Sequence, residues 1–319
     1  MFEPFKIHSS RVRALDFFDL SMYKVVFMNS FKYTLALIPL FFCGQLMAIE
    51  ATRTLNESGN LQLQQGLEAL IEKQNLSNAV KSKELSVVLA IVTDPDNPRL
   101  AELNGRNMVY AASLPKIAIL LGAAVAIDEG HLELNDELQT DLDNMIRYSC
   151  NACATKVLGL VGRKELLEIL QSPEYNFYDQ NGNGGLWVGK DYGPSSAYQR
   201  DPLSGLSHGA TAFQAARFYY KLQTGSLVSP DQSEMMLDVL SRPGISHKFV
   251  KGLAAYPELE LFRKSGSWKT YHADSALVRT NGLAYIMIAL ANNKNGAAWL
   301  EQLAAPLYEL AVEYNTETP

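Results

Sequence analysis

Hydrophobic and polar positions change their period several times along the chain, and each change marks an element. From Leu61 to Lys73 (Leu-Gln-Leu-Gln-Gln-Gly-Leu-Glu-Ala-Leu-Ile-Glu-Lys) apolar residues recur at helical spacing. The run from Leu85 to Thr93 is instead aliphatic and β-branched, and Asp94-Pro-Asp-Asn-Pro closes it as a turn, so it predicts a strand. Ser113 to Asp128 is apolar on nearly every side, the mark of a buried helix. From there to about Leu240 the pattern gives helical patches, interrupted by a polar, Gly-rich loop from Ser172 to about Ser207. Strand signals return at Asp274 to Arg279 and Leu283 to Ala291, around Thr280-Asn281-Gly282, a hairpin turn because Asn-Gly readily takes positive φ. Ala297 to Glu313 closes the chain as a helix. Strands at both ends with helices between predict an α+β fold, an antiparallel sheet flanked by helices with an all-helical domain inserted in the middle. The α/β part is expected over about 49–112 and 245–319, and the helical part over about 113–244. There is no internal repeat.

The N-terminal pattern is of another kind. Lys32 is followed by sixteen uncharged residues, Tyr33 to Ala48, ending Gln-Leu-Met-Ala before Ile49 and Glu50. This reads as a secretory signal segment over 1–48, because the run is short of the roughly 20 apolar residues a spanning helix needs. A stable membrane anchor is therefore not expected, and the mature protein is placed in the periplasm or outside the cell. Phe42 before Cys43 is too bulky for lipoprotein cleavage. Glu3, Asp16 and Asp19 are unusual ahead of an export signal, whereas Met28-Asn-Ser-Phe-Lys makes an ordinary start, so residues 1–27 read as an over-extended start.

Composition narrows the function classes. Of 319 residues, 47% are hydrophobic and 19% charged, enough apolar side chains for a substantial core. Lys and Arg number 28 against 34 Asp and Glu, a net charge of −6, and no basic run could track a phosphate backbone, so nucleic acid is not an expected partner. Removing residues 1–48, which carry five Lys/Arg and three Asp/Glu, takes the charge to −8. Three cysteines are too few for a disulfide scaffold, and His8, His131, His208, His247 and His272 never fall at zinc-helix spacing, so neither metal nor cofactor is expected.

Three short motifs carry candidate chemistry. Ser113-Leu-Pro-Lys116 puts a hydroxyl and an amine one helical turn apart, and Pro115, tolerable only in a first turn, fixes Ser113 at the helix N-terminus. A serine needs an adjacent base to become a nucleophile, and the apolar Ile-Ala-Ile-Leu-Leu after Lys116 would desolvate that amine and lower its pKa. Taken alone, the pair reads better as a helix cap beside a snorkelling lysine, because Ser-x-x-Lys is common by chance. Downstream lie Ser149-Cys-Asn151 and Lys264-Ser-Gly266. Cys150-Asn-Ala-Cys153 is open between a redox or disulfide pair and two small packing residues, the plainer reading. Asn181-Gly-Asn-Gly-Gly lacks the residues of a phosphate loop. Gly205-Leu-Ser207-His-Gly209 matches a nucleophile elbow in letters, with Asp231 or Asp238 and His247 or His272 as partners, but no strand pattern precedes it.

The ordered triplet Ser-x-x-Lys, Ser-x-Asn and Lys-Ser-Gly resembles the serine β-lactamase and penicillin-binding-protein superfamily, nearest to its class A enzymes. Gly130-His-Leu-Glu-Leu-Asn-Asp-Glu, Met145-Ile-Arg-Tyr-Ser-Cys-Asn, Thr211 to Pro230 and Ala273-Asp-Ser-Ala-Leu-Val extend the likeness through most of the chain after Ala48. The resemblance implies that Ser113 is the acylated nucleophile, Lys116 its base and Ser149 the proton relay to the leaving nitrogen. It implies that Asn151 holds the substrate amide and that Lys264, Ser265, Gly266 and Ser267 bind the substrate, the first two at its carboxylate. The N–H groups of Ser113 and Ser267 would form the oxyanion hole. The substrate implied is a β-lactam, opened by an exported hydrolase through an acyl-serine. The alternatives are a D-alanyl-D-alanine peptidase acting on peptidoglycan-type peptides and a non-catalytic penicillin-binding sensor. Oligomeric state stays open. Two departures stand out. Cys150 replaces the usual Asp of the second motif, and the class A loop with Glu-x-x-Leu-Asn is missing, Gly184-Gly-Leu-Trp-Val-Gly-Lys-Asp-Tyr standing in its place. Glu174, Asp179 and Asp191 are the candidate substitutes for that Glu.

Overall fold

In the computed structural model residues 54–315 are described; the expectations for 1–48 lie outside them. Helix α1 (Leu61–Lys73) begins where Asn60 caps it, its side chain accepting from the Leu63 N–H at 2.9 Å. A short α2 (Ser77–Lys81) leads to β1 (Leu85–Ile91), followed by β2 (Arg99–Leu103) and β3 (Val109–Tyr110). Then come α3 (Lys116–Asp128), α4 (Asp136–Arg147), α5 (Asn151–Val161) and α6 (Arg163–Gln171). Four strands of two or three residues, β4 (Tyr178–Asp179), β5 (Gly184–Gly185), β6 (Trp187–Val188) and β7 (His208–Ala210), punctuate the expected loop and its end. Next are α7 (Ala212–Gln223), α8 (Pro230–Leu240) and the single turn α9 (Phe249–Gly252). The chain closes with β8 (Glu260–Trp268), β9 (Tyr271–Thr280), β10 (Leu283–Asn292) and α10 (Gly296–Asn315). Among these residues no helix is long and apolar enough to cross a membrane.

The main sheet has the order β2-β1-β10-β9-β8, every neighbouring pair antiparallel. Its central strands read as unbroken apolar runs because both faces are covered. Leu85, Val87, Leu89 and Ile91 pack with residues of α1 and α10, while Val88 and Ala90 join the core of α3 to α8. β10 alternates in the same way, Tyr285, Met287 and Ala289 facing one layer and Ile286, Ile288 and Leu290 the other. In the β9–β10 hairpin Thr280 pairs with Leu283, and the positive φ falls on Gly282 alone, at 77°. α3 is buried from Lys116 to Ala126 and runs through the second core against α4, α5, α6 and α8.

One boundary differs from the sequence expectation in a way that shapes the site. The α3 helix starts at Lys116, not Ser113, and Ala112 to Pro115 form a turn in which the Lys116 N–H donates to the Ser113 carbonyl at 3.3 Å. Ala112 holds φ at 52°, which a helix cannot continue. A second sheet, β3-β7-β6, fastens that turn from below: the Ala111 N–H donates to the His208 carbonyl at 3.0 Å.

Candidate active site

Three segments far apart in sequence meet at the turn before α3. Ser113 is half-buried in it, and among the described residues its hydroxyl makes no hydrogen bond. The connection to β8 is made by Gly266. A Cβ at that position would stand 2.7 Å from the Ser113 N, 2.8 Å from the Leu114 N and against the Ala111 carbonyl, all backbone atoms that cannot step aside. Only glycine lets the strand edge lie this close to the Ser113 turn. Among the described residues the Ser113 N–H donates to no backbone carbonyl, so it remains a free donor there.

Lys116 is fully buried one turn into α3. Its Nζ donates to the Ser149 carbonyl at 2.6 Å and to Asn151 Oδ1 at 2.8 Å, with Ser149 Oγ at 3.4 Å. The Tyr192 ring lies 4.5 Å from the same nitrogen. Desolvation outweighs these partners and brings the Lys116 pKa down to about 7. Lys264, buried on β8, donates to Ser149 Oγ at 3.0 Å and to the Ser265 carbonyl at 2.7 Å. Burial first, and the Lys116 charge second, hold its pKa well below the ordinary lysine value. The Ser149 hydroxyl therefore sits between two buried amines. With Lys116 neutral, it can accept from Lys264 while donating to Lys116.

Ser149 is held with φ at 61°, the second non-glycine residue at the site in the left-handed region, a strain costing on the order of 1–3 kcal/mol. The next residue, Cys150, stands at the start of α5. Cys150 caps α5, its Sγ accepting from the Cys153 N–H at 3.0 Å, and it forms a disulfide with Cys153. The plainer reading of this pair as two unlinked packing residues is thereby corrected: a Cα–Cα distance of 5.3 Å across one helical turn suits the bond. The bond closes a covalent loop at the start of α5, directly after Ser149.

Sequence reasoning missed Lys248 and the Arg263–Asp274 pair, and offered His247 only as a partner of Ser207. Lys248, buried with φ at 51°, donates to the Gly266 carbonyl at 2.6 Å, Ser267 Oγ at 2.8 Å and the Ala273 carbonyl at 3.0 Å, pinning the ends of β8 and β9. Desolvation lowers its pKa to about 8. Arg263 and Asp274 form a buried ion pair with N–O distances of 2.7 Å on both oxygens, and Arg263 also donates to the Ile245 and His247 carbonyls. His247 faces Ser265, Nε2 to Oγ at 3.1 Å. A Lys inside Ser-Arg-Pro-Gly-Ile-Ser-His-Lys carries no periodic pattern that would have marked it for the core.

Ser113 opens on a cleft of about 680 Å³ whose walls include Asn151, Asp191, Tyr192, Ser207, Ser267 and the exposed Trp268. Of the three candidate carboxylates, only Asp191 reaches it. Both Asp191 oxygens accept from Arg163 at 2.8 Å. Glu174 lines a separate cleft with Asp128 and Glu129, and Asp179 lines another with Arg217, where it accepts from the Asn181 N–H. The structure agrees with the sequence in giving Ser207 no nucleophile elbow. β7 follows Ser207 rather than preceding it, and α7 begins only at Ala212, so there is no strand-turn-helix corner.

Comparison with known proteins places the family and the fold. A family model described as the beta-lactamase enzyme family matches residues 137–311, a span that holds Ser149 to Asn151 and Lys264 to Gly266 and begins after Ser113. Among solved structures, a β-lactamase from Sphaerobacter thermophilus is similar at 16% identity and TM-score 0.61, over 80% of this chain and 98% of that one. A class A β-lactamase from Bacteroides cellulosilyticus gives 14%, 0.60, 83% and 100%. A PBP-A variant, an acyl-enzyme complex with penicillin G, gives 20%, 0.59, 82% and 98%. At these identities the likeness is one of fold. No curated protein sequence matches the chain.

Proposed function

Because the chain belongs to the beta-lactamase enzyme family, we propose that it is an exported serine hydrolase that opens the β-lactam amide through an acyl-enzyme on Ser113. The observation that carries this reading is the Ser149 hydroxyl suspended between the Lys116 and Lys264 amines, beside a nucleophile turn whose backbone N–H is free. Neutral Lys116 takes the Ser113 proton as the oxygen attacks the lactam carbonyl. The oxyanion is held by the N–H groups of Ser113 and Ser267, each such donor being worth about 2.7–4 kcal/mol. The proton passes from Lys116 through Ser149 to the lactam nitrogen, the C–N bond breaks, and the acyl group stays on Ser113. Asn151 holds the substrate amide. Lys264 and Ser265 bind its carboxylate, supported by the concentration of buried Lys248, Arg263 and Lys264 around the single carboxylate of Asp274. The apolar run before Ile49 and the disulfide, a bond of oxidising compartments, support a periplasmic or secreted location.

Deacylation is the weak step, since Asp191 is occupied by Arg163 and no other candidate carboxylate shares the cleft. Stopped-flow mixing with a chromogenic cephalosporin is expected to give a burst of one equivalent followed by slow turnover. Multiple turnovers without a burst would contradict this. The same occupation of Asp191 favours, as a second reading, a penicillin-binding D-alanyl-D-alanine peptidase, which would release D-alanine from a peptidoglycan-type peptide and stop at one equivalent of β-lactam.

A further inference from the structure

The motif that fails as a nucleophile elbow nevertheless lines the Ser113 cleft. Ser207 and His208 both line it, His208 from the strand that also fastens the Ser113 turn through the Ala111 N–H and Ser207 from the residue just before that strand. The His208 ring is buried with both nitrogens engaged. Nε2 lies 2.9 Å from the Lys190 carbonyl, and a carbonyl can only accept, so Nε2 carries the hydrogen. Nδ1 is then a bare lone pair, and it lies 3.3 Å from the Ser207 hydroxyl. The ring also lies 4.2 Å from that of Tyr192, tilted to it by 39°, and the Tyr192 ring is 4.5 Å from the Lys116 amine, so the pair stands one aromatic ring away from the base of the first half-reaction. A serine whose hydroxyl hydrogen bonds to a fixed imidazole lone pair, in the wall of a cleft that needs a water activated, has the parts of a proton relay.

Resting on the acyl-Ser113 reading above, we propose that Ser207 and His208 relay the proton from the deacylating water, in place of the missing glutamate. Water attacks the acyl carbon as its proton moves to Ser207 Oγ and the Ser207 proton moves to His208 Nδ1. The tetrahedral intermediate collapses with cleavage of the bond from the acyl carbon to Ser113 Oγ. The proton returns from His208 through Ser207 to the departing Ser113 oxygen, leaving a carboxylic acid and a restored enzyme. Ser207 touches the reacting water; His208 acts through it.

The test separates the two half-reactions by following a penicillin adduct through intact mass, its formation in rapid quench and its decay after removal of free drug. Ser207→Ala removes the relay hydroxyl. His208→Gln keeps an amide donor for the Lys190 carbonyl but removes the Nδ1 lone pair. Both variants are expected to acylate at the wild-type rate and to lose deacylation by roughly 10²-fold or more, the span of general acid–base catalysis. Ser207→Thr, which keeps a hydroxyl, is expected to retain deacylation. Acyl-enzymes of Ser207→Ala and His208→Gln that decay as fast as wild type would overturn the relay while leaving the acyl-Ser113 reading intact. A wild-type protein that takes up no β-lactam at Ser113 would overturn that reading and the relay with it.

Discussion

Substituting Lys116 with alanine is expected to slow acylation by about 10²–10⁴-fold, the usual contribution of a positioned general base. The amine is fully buried, and desolvation brings its pKa to about 7, so near neutrality a large share of it is the proton-accepting form. An ordinary lysine would be almost wholly protonated there. The sign is set by the form that reacts. In the wild type the acylation rate should rise with pH through about 7 and level off above it, because the neutral amine accumulates in that direction. Lys116→Ala should lose this limb of the profile together with the rate. Single-turnover acylation measured across about two pH units on either side of that pKa reads both. A variant that acylates normally, or a wild type without the rise, would remove Lys116 from the role of base.

Asp274→Ala is expected to destabilise the fold by about 3–5 kcal/mol, the typical consequence of stripping one partner from a buried ion pair. Arg263 and Asp274 are 2% and 0% exposed, so the arginine left behind could not recover its hydration. Asp274 also accepts from the Phe249 N–H at 3.1 Å and the Ser275 N–H at 3.1 Å, which ties α9 to β9. Through Arg263 it fixes the carbonyls of Ile245 and His247, and so the loop that presents His247 to Ser265 and Lys248 to Gly266. Urea unfolding checks the magnitude. Replacing both partners, Arg263→Met with Asp274→Leu, should cost less than Asp274→Ala alone, because no uncompensated charge remains. A double substitution worse than the single would show that the pair contributes more than mutual neutralisation.

Much of this was legible from sequence where the physical signal is long or chemically specific. Leu61 to Lys73 is a helix with the expected ends because an apolar stripe and an asparagine cap agree. β1 and the β9–β10 hairpin are marked by aliphatic runs and an Asn-Gly turn, and the three motifs converge because each couples a nucleophilic or basic group to a glycine or a helix start. The parts that stayed hidden are those set by tertiary context. β3, β6 and β7 are two or three residues long, too short to show a period of two, yet they hold the Ser113 turn and His208. Ser113 drops out of α3 because Ala112 takes a positive φ that no side-chain pattern announces. Cys-x-x-Cys spacing leaves bonded and unbonded states open. The burial of Lys248 depends on three acceptors from β8 and β9 that are remote from it in sequence.

In the proposed mechanism every other role at the site depends on acylation of Ser113, and a penicillin adduct located by mass tests it most directly. Intact protein should gain one equivalent of drug mass, peptide mapping should place it on Ser113, and Ser113→Ala should show no adduct while Ser207→Ala still does. An adduct on Ser207, or one that survives in Ser113→Ala, would contradict it.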